Sequence, residues 1–181
     1  LWVEVKVSER ALREIYLPAF EKVVKEGHVY SVMGAYNRYN GEHCCESKTL
    51  LNGVLRDEWK FDGMVVSDWG GVHLTKEAAT SGLDLEMSVT DNFDEYCMAE
   101  PLKKAVENGE IAEELIDKKV KNILRLMYRL NMLGKVLRKP GSYNTPEHRQ
   151  KILDTARESV ILLKNDKNSF RFLRKRRRKF W

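Results

Sequence analysis

Little in this chain of 181 residues suits a membrane span, a metal centre or a disulfide framework. No apolar run approaches the ~20 residues that a helix needs to cross a bilayer. The three cysteines, Cys44, Cys45 and Cys97, cannot all pair with one another, and no CxxC spacing occurs. Free thiols are expected instead. His43-Cys44-Cys45 offers the right ligand types for zinc, but no second cluster exists to complete a site. The start, Leu1-Trp2-Val3-Glu4, has no initiating Met, basic n-region or cleavage site, so no signal peptide is read. With the N-terminus missing, localisation stays open, and a cytoplasmic setting is favoured over a secreted one.

What is present fits a globular domain with a real core: 43% apolar and 33% charged residues in a chain of adequate length. The formal net charge of +5 is unevenly placed. Ser169 to Trp181 hold seven basic residues and no acidic one; removing those seven charges leaves −2 for the first 168 residues. The body is mildly acidic, and the basic character belongs to the tail.

Hydrophobic spacing predicts the elements. Leu12, Ile15, Tyr16, Ala19, Phe20, Val23 and Val24 repeat at helical intervals, which predicts an amphipathic helix over 9–26. Ser8 suits its N-cap, Gly27 its end, and Pro18 should kink it. A strand over 30–36, a polar loop with Asn40-Gly41, a helix over 47–59 and a strand over 64–67 follow. Next come a short helix near 73–81 and a third short strand over 83–87. Helices near 94–108 and 112–133 are separated by Asn108-Gly109; in the second, Leu115, Val120, Ile123, Leu124, Met127 and Leu130 should face inward. After a loop over 135–143, a last helix runs over 146–163 with Pro146 in its first turn. The β-α-β-α-β order with short connections predicts a parallel sheet, the α/β class.

The richest stretch runs from Trp59 to Glu86. Met64 to Val66 read as a strand buried on both faces, ending abruptly at Ser67-Asp68-Trp69-Gly70. Asp68 then lies just past the strand's C-terminal end, where α/β barrels assemble their active sites. A carboxylate beside a flat aromatic suits carbohydrate chemistry, one attacking or stabilising an oxocarbenium centre and the other facing a sugar ring. Asp68 can equally be the N-cap of the following helix. From this pattern alone both readings stand.

Several linked motifs extend the pattern. They are Val32-Met33-Gly34-Ala35-Tyr36-Asn37, Asn40-Gly41, Leu51 to Trp59, Ser67-Asp68-Trp69, and Ala79-Thr80-Ser81-Gly82-Leu83-Asp84-Leu85-Glu86-Met87. Ser8 to Tyr16 and Glu158 to Asn165 flank them. In this order the motifs resemble glycoside hydrolase family three, the β-glucosidase and β-xylosidase group of exo-acting retaining enzymes, over roughly residues 3–168.

The resemblance implies a partial (β/α)8 TIM-type barrel, about the last three βα units of the family's N-terminal domain, followed by helices leading to a missing second domain. On that reading residues 1–133 are barrel, 134–168 a linker and helix toward the second α/β domain, and 169–181 a basic tail. It makes Asp68 the catalytic nucleophile, sets the Tyr36 hydroxyl beside it, and places Tyr36, Trp69 and Met33 at the sugar. Each also has a plainer reading: Trp69 as core, Tyr36 as a loop anchor, Met33 as strand filler. Glu86 stands one strand beyond Asp68, but the family draws its acid/base from the following domain or a distant loop, so Glu86 reads as structural or as rim. His73 reads as a packing or surface residue near the start of the next helix. The implied substrate is a β-linked oligosaccharide or glycoside, no cofactor or metal is required, and no nucleic acid or membrane partner is expected. The family's Lys-His pair and its upstream Asp and Arg are absent from this sequence, which predicts an inactive piece.

The tail from Phe170 to Trp181 interleaves arginines with aromatics, a composition that can bind polyanions. A non-catalytic fragment with such a tail is the alternative function. A solvated, disordered tail is a second reading. A third is a shifted reading frame: suitable codons read one base earlier spell Leu-Pro-Leu-Leu-Lys-Lys-Lys-Glu-Glu-Lys-Val-Leu, the kind of apolar continuation that the family has after Leu-Leu-Lys-Asn.

Overall fold

The computed structural model describes residues 3–134 and 140–167. The basic tail and residues 135–139 of the loop predicted over 135–143 lie outside the described residues. The chain divides into two compact units, Leu1–Arg138 and Lys139–Trp181.

In the first unit, strand β1 (Glu4–Val5) precedes a helix over 9–25, α1. Ser8 caps α1, its hydroxyl accepting from the Ala11 amide at 3.2 Å. The helix widens to i→i+5 bonding over Leu12–Tyr16 and returns to α geometry over Leu17–Lys25. Pro18, which has no amide hydrogen to give, sits at the start of that last stretch, directly after the widened turn. Strand β2 covers Ser31–Gly34, shorter than predicted. The polar loop is itself a hairpin, β3 (Arg38–Tyr39) and β4 (Glu42–His43), turning at Asn40-Gly41 with φ of 48° and 91°. β1 pairs with β3 in parallel and completes a three-stranded sheet.

Helix α2 (Lys48–Glu58) is capped by Ser47 and buries Leu51, Val54 and Leu55. Strand β5 (Met64–Ser67) has its predicted bounds and pairs in parallel with β2, Val32 beside Val65 and Met33 beside Val66. The predicted third strand is reduced to one parallel bridge, Val66 to Leu85. The chain still runs alongside: the Ser67 amide donates to the Leu85 carbonyl at 2.9 Å. The ladder stops there because the Ser67 hydroxyl, not a backbone carbonyl, takes the Met87 amide at 2.8 Å. Parallel strands with helices packed on them form this unit's α/β architecture. The main core joins Val24, Cys45, Leu51, Val54, Leu55, Trp59, Phe61, Val65, Val72, Ala78 and Leu83.

Helix α3 (Thr75–Thr80) is followed by a short 3-10 turn at Phe93–Glu95 and helix α4 (Glu100–Glu107). The helix predicted over 94–108 starts later because Pro101 must occupy a first turn. Helix α5 (Glu113–Arg129) ends where Asn131 adopts φ of 52°. Its inward face also differs from the prediction. Val120 and Leu124 are nearly half exposed (46% and 47%), while Lys119 is buried at 6%. Lys119 donates to the carbonyls of Ala78 and Ser81 at 3.1 and 3.0 Å and to that of Leu83, closing the C-terminal end of α3. Beside it, buried Asp84 accepts from Arg56 at 2.6 Å, from the Val65 amide at 2.7 Å and from Asn122 at 2.9 Å. One carboxylate thus ties α2, β5 and α5 together.

The second unit holds helix α6 (Pro146–Glu158), capped by Thr145. It stops short of the predicted 163, ahead of the β-branched pair Val160-Ile161.

Candidate active site

β2 and β5 end side by side, and the residues beyond them form the site. The Asp68 amide continues the pairing, donating to the Gly34 carbonyl at 3.1 Å. A tight turn follows: the Gly71 amide donates to the Asp68 carbonyl at 3.0 Å, and Gly70 takes φ of 69°. This turn directs the Asp68 side chain back onto its own loop, where Oδ1 accepts from the Trp69 amide at 2.8 Å.

Tyr36 reaches Asp68 from the neighbouring strand end. Its hydroxyl faces the Asp68 carboxylate, and that neighbour is the main cause that raises the phenol above its ordinary value of 10.0. At neutral pH the phenol keeps its proton and stays a donor. The helix-capping alternative for Asp68 does not hold, since α3 begins at Thr75 and its N-cap is Leu74.

Trp69 is 57% exposed, so the core reading of this indole is overturned; its backbone serves Asp68 while its ring faces solvent. Met33 is 60% exposed and shares a strand face with Val66. It borders an apolar groove of about 360 Å³ with Phe20, Val32, Ala35 and Leu50, which neither Asp68 nor Tyr36 lines. Asp68 and Tyr36 therefore come together, Trp69 adjoins them, and Met33 lines the neighbouring groove, which Gly34, Ala35 and Asn37 also border.

Glu86 is occupied structurally: its carboxylate accepts the Met98 amide at 2.7 Å, and partial burial raises its pKa. The His73 ring packs on that of His43, centroids 4.1 Å apart. Burial, with His73 as neighbour, lowers the pKa of His43. Cys44, Cys45 and Cys97 are free thiols, and burial pushes Cys45 up to about 11, far from a reactive thiolate.

Two features escaped the sequence reading. Cys45 lies under the site with its Sγ 3.4 Å from the Ala35 carbonyl. Glu46, 5% exposed, accepts the amides of His73 and Leu74. A charged residue inside the otherwise small and polar run from Cys44 to Ser47 was the available signal.

Residues 2–126 match the Glycosyl hydrolase family 3 N terminal domain. A beta-glucosidase of Bacteroides ovatus is 41% identical over 178 residues, covering 91% of this chain and 23% of its own. Beta-glucosidase B of Emericella nidulans is 39% identical over 165 residues, covering 91% of this chain and 19% of its own. The crystal structure of a Bifidobacterium adolescentis GH3 beta-glucosidase superimposes with a TM-score of 0.75 at 35% identity, over 92% of this chain and 23% of that one. The chain spans about a fifth of the length of these relatives.

Proposed function

The chain belongs to glycosyl hydrolase family 3, with most of its length in the family's N-terminal domain, and from that premise we propose that it is part of an exo-acting retaining β-glycosidase with Asp68 as nucleophile. The observation that carries the assignment is the placement of Asp68. Its carboxylate stands past the end of β5, met by the Trp69 amide and the Tyr36 side chain and not committed to the next helix.

In this reading an oxygen of the ionised Asp68 carboxylate attacks the anomeric carbon of a terminal β-linked sugar. The bond to the leaving oxygen breaks as an acid supplied from outside this chain protonates it. A glycosyl ester on Asp68 forms. Water then attacks the same carbon, the former acid now acting as base, and Asp68 leaves as carboxylate. Tyr36 holds the carboxylate, the exposed Trp69 ring offers a flat face to the sugar, and Met33 is assigned to the substrate surface further along β2. The substrate class is β-linked oligosaccharides and glycosides. The parallel pairing of β2, β5 and the 83–87 segment supports the reading of these as consecutive units of a larger (β/α)8 barrel. A second domain supplies the acid/base.

On this account the 181-residue chain by itself hydrolyses nothing measurable, because transition-state contacts supplied elsewhere are missing. The longer protein carrying it turns over an aryl β-glucoside, and Asp68→Asn abolishes that turnover. Wild-type rates in Asp68→Asn would overturn the nucleophile; turnover by the isolated chain would overturn its dependence on the rest.

A further inference from the structure

Segment 43–47 is wedged between the two strand ends that carry Tyr36 and Asp68. Cys45 is fully buried there and occupies the space that side chains would need at both Gly34 and Gly71. A Cβ at Gly34 would lie 2.8 Å from the Cys45 sulfur, and one at Gly71 3.0 Å from it. Glu46 comes next, with its carboxylate turned into the protein. A buried carboxylate is costly unless its oxygens find donors. Here one oxygen, Oε1, accepts two consecutive amides, those of His73 and Leu74, the latter at 2.7 Å.

Those amides close the loop that opens at Asp68. At its near end the loop is fixed by the Asp68 amide on Gly34 and the Gly71 amide on the Asp68 carbonyl. At its far end it is fixed by Glu46, with the His43 ring against His73 as a second fastening. Charge-assisted bonds of this kind are the stronger sort, and this one is shielded from solvent.

We propose that Glu46 is a positioning residue: by gripping the amides of His73 and Leu74 it fixes loop 68–74 so that the Asp68 carboxylate stays against the Tyr36 hydroxyl. Its catalytic meaning rests on the assignment of Asp68 as nucleophile; the geometric effect does not.

The test uses the 181-residue chain, its Glu46→Gln and its Glu46→Ala variants, and no substrate. Tyr36 is titrated through its ring carbon by NMR, and amide exchange is followed at His73, Leu74 and Val65. The unsubstituted chain shows a raised Tyr36 and protected loop amides. Glu46→Ala returns Tyr36 toward the ordinary phenol value and speeds loop exchange by about tenfold or more, as loss of a charge-assisted bond requires, while Val65 stays protected. Glu46→Gln keeps an acceptor oxygen, so Tyr36 stays raised and exchange at His73 and Leu74 quickens only a few-fold. A raised Tyr36 in a folded Glu46→Ala chain overturns the proposal. Should Glu46→Ala unfold altogether, unchanged exchange at His73 and Leu74 in Glu46→Gln overturns it. A loop without protection in the unsubstituted chain overturns it as well. Since neither readout involves turnover, failure of Asp68 as nucleophile would leave both standing.

Discussion

The Tyr36 phenol faces the Asp68 carboxylate across the ends of two adjacent parallel strands, β2 and β5, and that carboxylate raises its pKa. The pairing register brings this about. Gly34 stands beside Ser67, and the chain beyond each turns into the same space. Tyr36→Phe removes a donor from the group assigned as nucleophile. In the longer protein kcat/KM for an aryl β-glucoside is expected to fall roughly 10- to 100-fold, the range for a hydrogen bond to a charged group. Unchanged kinetics in Tyr36→Phe would place Tyr36 outside the reaction.

Asp84 carries more of the fold than any other carboxylate described. Its side chain is 2% exposed and receives Arg56, Asn122 and the Val65 amide at once. Asp84→Ala leaves the Arg56 guanidinium and the Val65 amide without that partner. Unfolding in urea is expected to show a loss of about 3–5 kcal/mol, the cost of breaking a buried pair by removing one member. A loss under 1 kcal/mol would mean that water replaces the carboxylate.

Lys119 gives the fold a pH signature. Burial lowers its pKa from 10.5 to about 8, against the smaller opposing pull of Asp84. Between about 8 and the ordinary lysine value the unfolded chain binds more protons than the folded one, so stability rises with pH through that window. The slope attributable to Lys119 is at most about 1.4 kcal/mol per pH unit. Below about pH 8 both states are protonated and that dependence vanishes. Lys119→Met should flatten the curve between pH 8 and 10; parallel curves for the two proteins would show that Lys119 titrates normally.

These elements were unequally legible in the sequence. β5 came out with its predicted bounds because a β-branched run broken by Asp68 has one physical meaning at a sheet. The pairing of Tyr36 with Asp68 was implied by family resemblance, not by periodicity. Lys119 was invisible because periodicity assigns charge to the solvent side, whereas here α5 turns a lysine inward to meet three carbonyls. Asp84 was hidden for the same reason, inside a run read only as strand. The β3–β4 hairpin is signalled by Asn40-Gly41, yet strands of only two residues each give no alternation that separates them from a loop.

Gly34 is needed for close packing. A methyl group there would press on the Cys45 sulfur at 2.8 Å and on its Cα at 3.2 Å. Gly34→Ala must push β2 away from segment 43–47, and overpacking of this kind costs about 1–3 kcal/mol. Thermal unfolding should register the loss, and Cys45→Ala in the same chain should recover part of it. Simple additivity of the two substitutions would mean that they do not share the space.

The most direct measurement of the central claim is covalent. The longer protein is incubated with an activated 2-fluoro β-glucoside, which slows the second step more than the first, and the labelled peptide is sequenced by mass spectrometry. The account predicts one sugar attached to the Asp68 side chain and no label in Asp68→Asn. A sugar on Glu86, or on any residue outside the loop after β5, would contradict it.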